Sequence, residues 1–175
     1  MKKLGLLFLV LLATYAVYPY FALYRLSEAL RVQDLDAVEA KVDWPKLRQG
    51  IKDDVNAALV AKVKPEEGDA LATFGVALAG KLASPVVDAA VTPAGLVAVA
   101  AADRPTLTTL ATQVYVSTPA DRPSPRLVQS GFSGFTAFEA TVMPRGATAE
   151  GDAIRLRFQL EGGYWMLTRI HLPLR

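Results

Sequence analysis

No charged residue interrupts the 21 positions from Leu4 to Tyr24 (LGLLFLVLLATYAVYPYFALY), and Lys2 and Lys3 stand just before them. Two fates fit such a run. A helix that crosses a bilayer needs ~20 apolar residues in succession, and this run supplies them. Tyr15, Tyr18, Tyr20 and Tyr24 would then lie toward the outer interface, where amphipathic rings settle. A cleaved signal peptide needs a positive start, a shorter apolar stretch and small residues at the cut. Thr14-Tyr15-Ala16 is the nearest approach to such a site, with cleavage near Ala16. Because no strong A-x-A site is present, an uncleaved anchor over residues 1–24 is expected, followed by one extracytoplasmic domain over residues 25–175. In either case Lys2 and Lys3 stay in the cytoplasm. Residues 4–24 then take the inner membrane as partner, and the domain lies on the periplasmic side.

Those two lysines also account for the formal charge of +2, since the chain has 19 Lys and Arg against 17 Asp and Glu. The body is therefore neutral and has no long basic run, which argues against nucleic acid as a partner. The absence of cysteine excludes a disulfide framework, a thiol nucleophile and a lipoprotein anchor. At 175 residues the chain is ample for a real core.

The densest signature runs from Tyr20 to Val55 and reads as helix, turn, short helix, turn, longer helix. Leu23, Leu26 and Leu30 recur at helical spacing, with Arg25, Glu28 and Arg31 between them. Asp34 is placed to cap a second helix, in which Asp36 and Glu39 suit the dipole and Leu35, Val38 and Val42 form the apolar side. Asp43-Trp44-Pro45 restarts the chain with a cap and a first-turn proline. Leu47, Ile51, Val55 and Leu59 then line one face at four-residue spacing.

Tyr18-Pro19-Tyr20, Leu26, Ala29-Leu30, Asp34, Val42-Asp43, Pro45 and Leu47-Arg48, together with Trp165 through Pro173, resemble the recurring elements of a family of small bacterial membrane-anchored proteins known only as a domain of unknown function. The resemblance implies an envelope location, no assigned activity and no catalytic residues.

Beyond these three helices, Lys64–Asp69 is a polar break. Ala70–Leu82 reads as a small-residue helix, with Leu71, Phe74, Leu78 and Leu82 on one buried stripe. Its uncharged run stops at Lys81, too short for a span, and Pro85 is expected to interrupt the chain just beyond it. Thr92-Pro93 opens a short helix that ends before Arg104. Thr106–Val116 fits either a helix or a strand, and Ser117–Arg126 is a proline-rich loop. From Leu127 the chain reads as β, with Phe135–Met143 a strand and Pro144-Arg145-Gly146 a turn. Ile154–Leu160 alternates strictly, Gly162-Gly163 makes a two-residue hairpin turn, and Tyr164–Leu172 returns. A regular register sets Leu160 opposite Trp165 and Phe158 opposite Leu167. Continued, it puts Arg169 and His171 on the Leu156/Ile154 face, and Met166, Thr168 and Ile170 on the Arg155/Arg157 face. The expected fold is α+β: a membrane helix, a cluster of helices, then a C-terminal antiparallel sheet, by analogy cystatin-like or NTF2-like.

The inventory for catalysis is thin. His171 is the only histidine, which excludes multi-histidine metal sites. Gly131-Phe132-Ser133-Gly134-Phe135 imitates a nucleophile elbow without its final glycine. Asp34 and Asp43 stand where caps are needed, and Asp53-Asp54 reads as an exposed helix pair. No phosphate loop follows a strand. No catalytic residue, metal or cofactor is therefore expected. Asp43, Arg48, Arg155, Arg157, Arg169 and His171 are the candidates for ligand binding, the arginines because they pair with acidic groups or a lipid phosphate. Two function classes fit. One is a non-enzymatic envelope module that binds a partner protein or apolar ligand in a groove between sheet and helices. The other is a small hydrolase or isomerase that uses Asp43, Arg169 or His171 in that groove.

Overall fold

The computed structural model describes residues 2–62, 70–101, 126–143 and 153–171. Among these, five helices precede four strands: α1 (Lys2–Val32), α2 (Leu35–Glu39), α3 (Trp44–Lys62), α4 (Ala70–Ala90) and α5 (Pro93–Ala101), then β1 (Arg126–Gly134), β2 (Ala137–Met143), β3 (Ile154–Glu161) and β4 (Tyr164–His171). The strands form one antiparallel sheet in the order β1-β2-β3-β4. The α+β architecture read from the sequence is the one observed.

The first helix does not stop at the end of the apolar run. α1, 31 residues in all, continues through Tyr24 and Arg25 to Val32, with Pro19 inside it. Its first half, Lys3 to Thr14, is exposed throughout. Its second half is part of the core: Pro19, Ala22, Leu26 and Ala29 are buried. Proline in a helix interior removes one i→i−4 hydrogen bond, and here its ring packs against protein in return. The helix ends in a Schellman turn, with Gln33 left-handed at φ 59° and the Asp34 N–H donating to Ala29 O at 2.9 Å.

Asp34 and Asp43 are caps, as their positions predict. Asp34 Oδ1 accepts from Ala37 N at 3.0 Å, and Asp43 Oδ1 accepts from Lys46 N at 3.1 Å. Between the two helices they start, Val42 forms a parallel bridge to Leu167. Asp43 N donates to Leu167 O and Leu167 N to Lys41 O, both at 2.9 Å. This short segment covers the open edge of β4, where unpaired backbone groups would otherwise face outward.

Pro85 lies inside α4 rather than interrupting it. Leu78, expected on a buried stripe, is 46 % exposed. The helix instead approaches α3 through a small residue: a Cβ on Gly80 would lie 2.6 Å from Asn56 Oδ1. α5 is almost wholly buried, as a core helix should be. The expectations for residues 64–69, 106–125 and 144–146, and for the side chains of Leu71, Phe74 and Leu82, lie outside the described residues.

In the sheet, Phe135 and Thr136 are a turn, so β2 begins two residues later than its composition predicts. Phe132, Phe138, Phe158 and Leu167 form one row across all four strands. Trp165 joins that row, its ring 5.9 Å from Phe132 and 6.4 Å from Phe138. Onto this cluster α1 lays Tyr15, stacked on Phe132 at 5.6 Å, and Tyr20, edge-on to Phe138 at 4.9 Å.

The β3–β4 hairpin keeps the predicted register from Glu161–Tyr164 to Phe158–Leu167 and then departs from it. Thr168 is an extra residue, so Arg157 faces Arg169, Leu156 faces Ile170 and Arg155 faces His171. A bulge of this kind re-aims every side chain beyond it. Ile170 therefore enters the core, while Arg169 and His171 move to the Arg155/Arg157 face, the reverse of the expectation. Thr168 is itself buried, and its hydroxyl donates to Arg157 O at 3.2 Å.

Trp165 is 2 % exposed, and its indole N–H has no hydrogen-bond partner among the described residues. Trp165→Ala should therefore cost ~3–5 kcal/mol in chemical denaturation, the scale for large core truncations. Trp165→Phe, which keeps an aromatic ring, leaves a smaller cavity and removes the unpaired donor, should cost clearly less. Equal losses from the two variants would contradict this packing.

Candidate functional site

The bulge at Thr168 brings Arg169 and His171 onto the face of Arg155 and Arg157, so that four of the six sequence candidates share it. Residues opposite one another on antiparallel strands share a face, so Arg155, Arg157, Arg169 and His171 lie together. Like charges so placed repel, and two acids offset them. Glu139, opposite Arg157 on β2, has Oε1 3.7 Å from Arg157 Nη1. Asp54 of α3 uses both carboxylate oxygens: Oδ1 accepts from Arg169 Nη2 at 2.8 Å, and Oδ2 lies 3.0 Å from His171 Nδ1. Gly50, one helical turn before Asp54, makes the approach possible. A Cβ there would lie 3.1 Å from Arg169 Cγ.

Asp54 is the residue that sequence reasoning missed. The Asp53-Asp54 pair reads as solvated, and only the register of a distant bulged strand brings Arg169 and His171 to it. Asp53 is the exposed member and accepts from Gln49 Nε2 at 2.8 Å.

The other candidates hold the scaffold. Arg48 donates through Nε to Val91 O at 3.1 Å, just past the last turn of α4, where helix carbonyls lack partners. Asp43 caps α3 and has Oδ2 3.4 Å from Lys46 Nζ. Lys46 also bonds Glu161, at the end of β3. That hydrogen bond, assisted by Asp43, holds the Lys46 ammonium above the ordinary lysine range. Arg155 is exposed.

An Asp–His pair is half of a hydrolytic triad. The sequence's nearest nucleophile, Ser133, stands on β1, at the opposite edge of the sheet from His171 on β4. Among the described residues no group of acids and histidine could hold a metal ion. The Arg155–His171 face thus reads as an ion-paired clamp between α3 and the sheet.

A concave site lies elsewhere. A groove of about 500 Å³ runs between α1, α2 and the start of β4. Phe21, Ala22, Ala29, Val32 and Trp165 give it apolar walls, and Arg25, Glu28 and Lys41 supply charge. The Arg25 guanidinium lies over the Phe21 ring at 5.1 Å. None of the six sequence candidates lines this groove.

The chain belongs to a protein family of unknown function (DUF2939), whose family model matches residues 8–99. No curated protein and no solved structure matches it. The matched span runs from Phe8 on α1 to Val99 on α5. It includes Tyr18-Pro19-Tyr20, Asp34, Asp43 and Leu47-Arg48, whereas Trp165 through Pro173 lies outside it.

Because Asp54 holds Arg169 and His171 at once, their contributions should couple. Asp54→Ala should cost about 1–2 kcal/mol, the scale for partly exposed charged hydrogen bonds. Arg169→Ala should cost markedly less in the Asp54→Ala background than in the parent chain. Additive losses in a double-mutant cycle would show that the clamp does not form in solution.

Proposed function

We propose that this DUF2939 member is a non-enzymatic module of the bacterial envelope, anchored in the inner membrane by α1, with its domain on the periplasmic side. In this reading it holds a membrane-proximal segment of a partner protein in the groove beside α1. One observation carries the reading: α1 is a single helix whose first half is exposed and apolar and whose second half is core. The domain is thereby mounted rigidly on its anchor. Cleavage after Ala16 would remove the Tyr15 ring from the Phe132–Trp165 cluster and cut the helix one turn before Pro19, which favours the uncleaved form. Lys2 and Lys3 support a cytoplasmic N-terminus.

The groove supports the partner role because it continues the anchor. Val17, Phe21 and Tyr24 form an exposed apolar ridge at helical spacing that leads from the anchor along the groove. An amphipathic helix from a neighbouring membrane protein could lie along that ridge, with its apolar side on Phe21 and Val32 and its charges at Arg25 and Glu28. The Asp54–His171 pair favours a second reading, a small hydrolase or isomerase. That reading requires a nucleophile or substrate cavity beside His171.

Two measurements test the proposal. Alkaline phosphatase fused after Arg175 should be active, and a fluorophore that matures only in the cytoplasm should be dark; the reverse would overturn the orientation. In membranes, a photoreactive side chain at Phe21 or Val32 should give one discrete protein adduct, and the same group at Arg155 none. Equal labelling from both faces, or none from the groove, would remove the groove as the binding site.

A further inference from the structure

The anchor is too short to cross a bilayer unless part of the domain goes in with it. A hydrocarbon core of ~30 Å needs ~20 helical residues at ~1.5 Å each. From Leu4 that count ends at Leu23, one residue before the uncharged run stops at Tyr24. Yet only the 11 residues from Leu4 to Thr14 stand clear of the domain, a free length of about 16 Å. From Tyr15 onward the sheet lies against the helix: Tyr15 stacks on Phe132, and the Tyr18 hydroxyl donates to Gly163 O at 3.1 Å. The outer face of α1 nonetheless stays apolar and exposed at Val17, Phe21 and Tyr24.

The part of the domain that meets Tyr15 and Tyr18 is the end of the sheet that carries both hairpin turns. In the order β1-β2-β3-β4 the Phe135-Thr136 and Gly162-Gly163 turns lie at the same end, and Leu160 N donates across to Thr136 O at 2.9 Å. That end is unusual for a soluble surface. Phe135 is 92 % exposed, and Phe132 and Tyr164 are exposed beside it. No charge occurs from Leu127 to Phe138. Glu161, which precedes the Gly162-Gly163 turn, is paired with Lys46.

We infer that the two hairpin turns are seated in the lipid of the outer leaflet, with the Phe132, Phe135 and Tyr164 side chains on the acyl side of the headgroup–acyl boundary. The inference rests on the reading of α1 as an uncleaved anchor. The geometry sets the depth: with Leu23 at the boundary, Tyr15 lies eight residues, or about 12 Å, inside it. Apolar and aromatic side chains without charge suit that zone, and a short apolar helix is compensated by such insertion at modest cost. The occupant of this surface is lipid rather than a second copy of the chain, because the surface is continuous with the exposed face of the spanning helix.

The test uses the full chain in phosphatidylethanolamine–phosphatidylglycerol vesicles. It has no native cysteine, so nitroxides can be attached singly through Leu9→Cys, Phe135→Cys, Tyr164→Cys and Arg155→Cys. Phe135 and Tyr164 are exposed, and their replacement leaves the core intact. Collision with oxygen should exceed collision with a water-soluble nickel chelate at positions 9, 135 and 164. At position 155 the order should reverse. Lipid at position 9 with water at 135 and 164 would overturn the seating while leaving the anchor in place. Water at position 9 would overturn the anchor and this inference with it. Shielding from both reagents at 135, with spin–spin broadening, would mean that a second copy covers the turns and would also overturn it.

Discussion

One helix in this chain has two different surroundings. Over its first half α1 can bury its side chains only in something outside the domain, and over its second half it supplies part of the domain's own core. The change comes between Thr14 and Pro19, where Tyr15 meets Phe132 and Trp165 while Val17 on the other side stays exposed. A domain joined to its anchor by a flexible linker could rotate freely. Here the second half of α1, with Ala22, Leu26 and Ala29 in the core, packs against β4, α2 and α5. In the proposed reading of α1 as an anchor, its depth sets the height of the hairpin turns and places the groove beside α1 at the membrane.

The remaining connections keep the sheet in that position. Residues 41–43 cover the edge of β4, Lys46 ties α3 to the end of β3, and Asp54 ties it to the far end of β4. Each is a modest interaction on a partly exposed surface. Together they fix α3 at three places along the last hairpin. The clamp at Asp54 depends on the bulge at Thr168, without which Arg169 and His171 would point to the other face.

Much of this order was legible in the sequence, because local chemistry determines it. Caps such as Asp34 and Asp43 act within three residues, alternation such as Ile154–Leu160 defines a strand, and Gly162-Gly163 has few uses other than a tight hairpin. The features that could not be read depend on distant packing. An extra residue in β4 leaves no compositional mark, since Thr168 is as good a strand residue in regular pairing as in a bulge. The Asp54 pairing depends in turn on that bulge. The change from an uncharged apolar run to charged residues at Arg25 looks like an element boundary, yet hydrophobicity does not report whether a helix continues. The division of α1 was hidden for the same reason: a leucine exposed on the first half and a leucine buried in the core have the same sequence signature.

The central claim is that the second half of α1 belongs to the cooperative core of the domain. Hydrogen–deuterium exchange of the full chain in a lipid bilayer measures this directly, since amides within one cooperative unit open only with its global unfolding. The backbone amides of residues 20–29 should exchange as slowly as those of β3 and β4, with no break at Tyr24-Arg25. Fast exchange across residues 20–29 while the sheet stays protected would mean a hinged anchor, and would contradict the account.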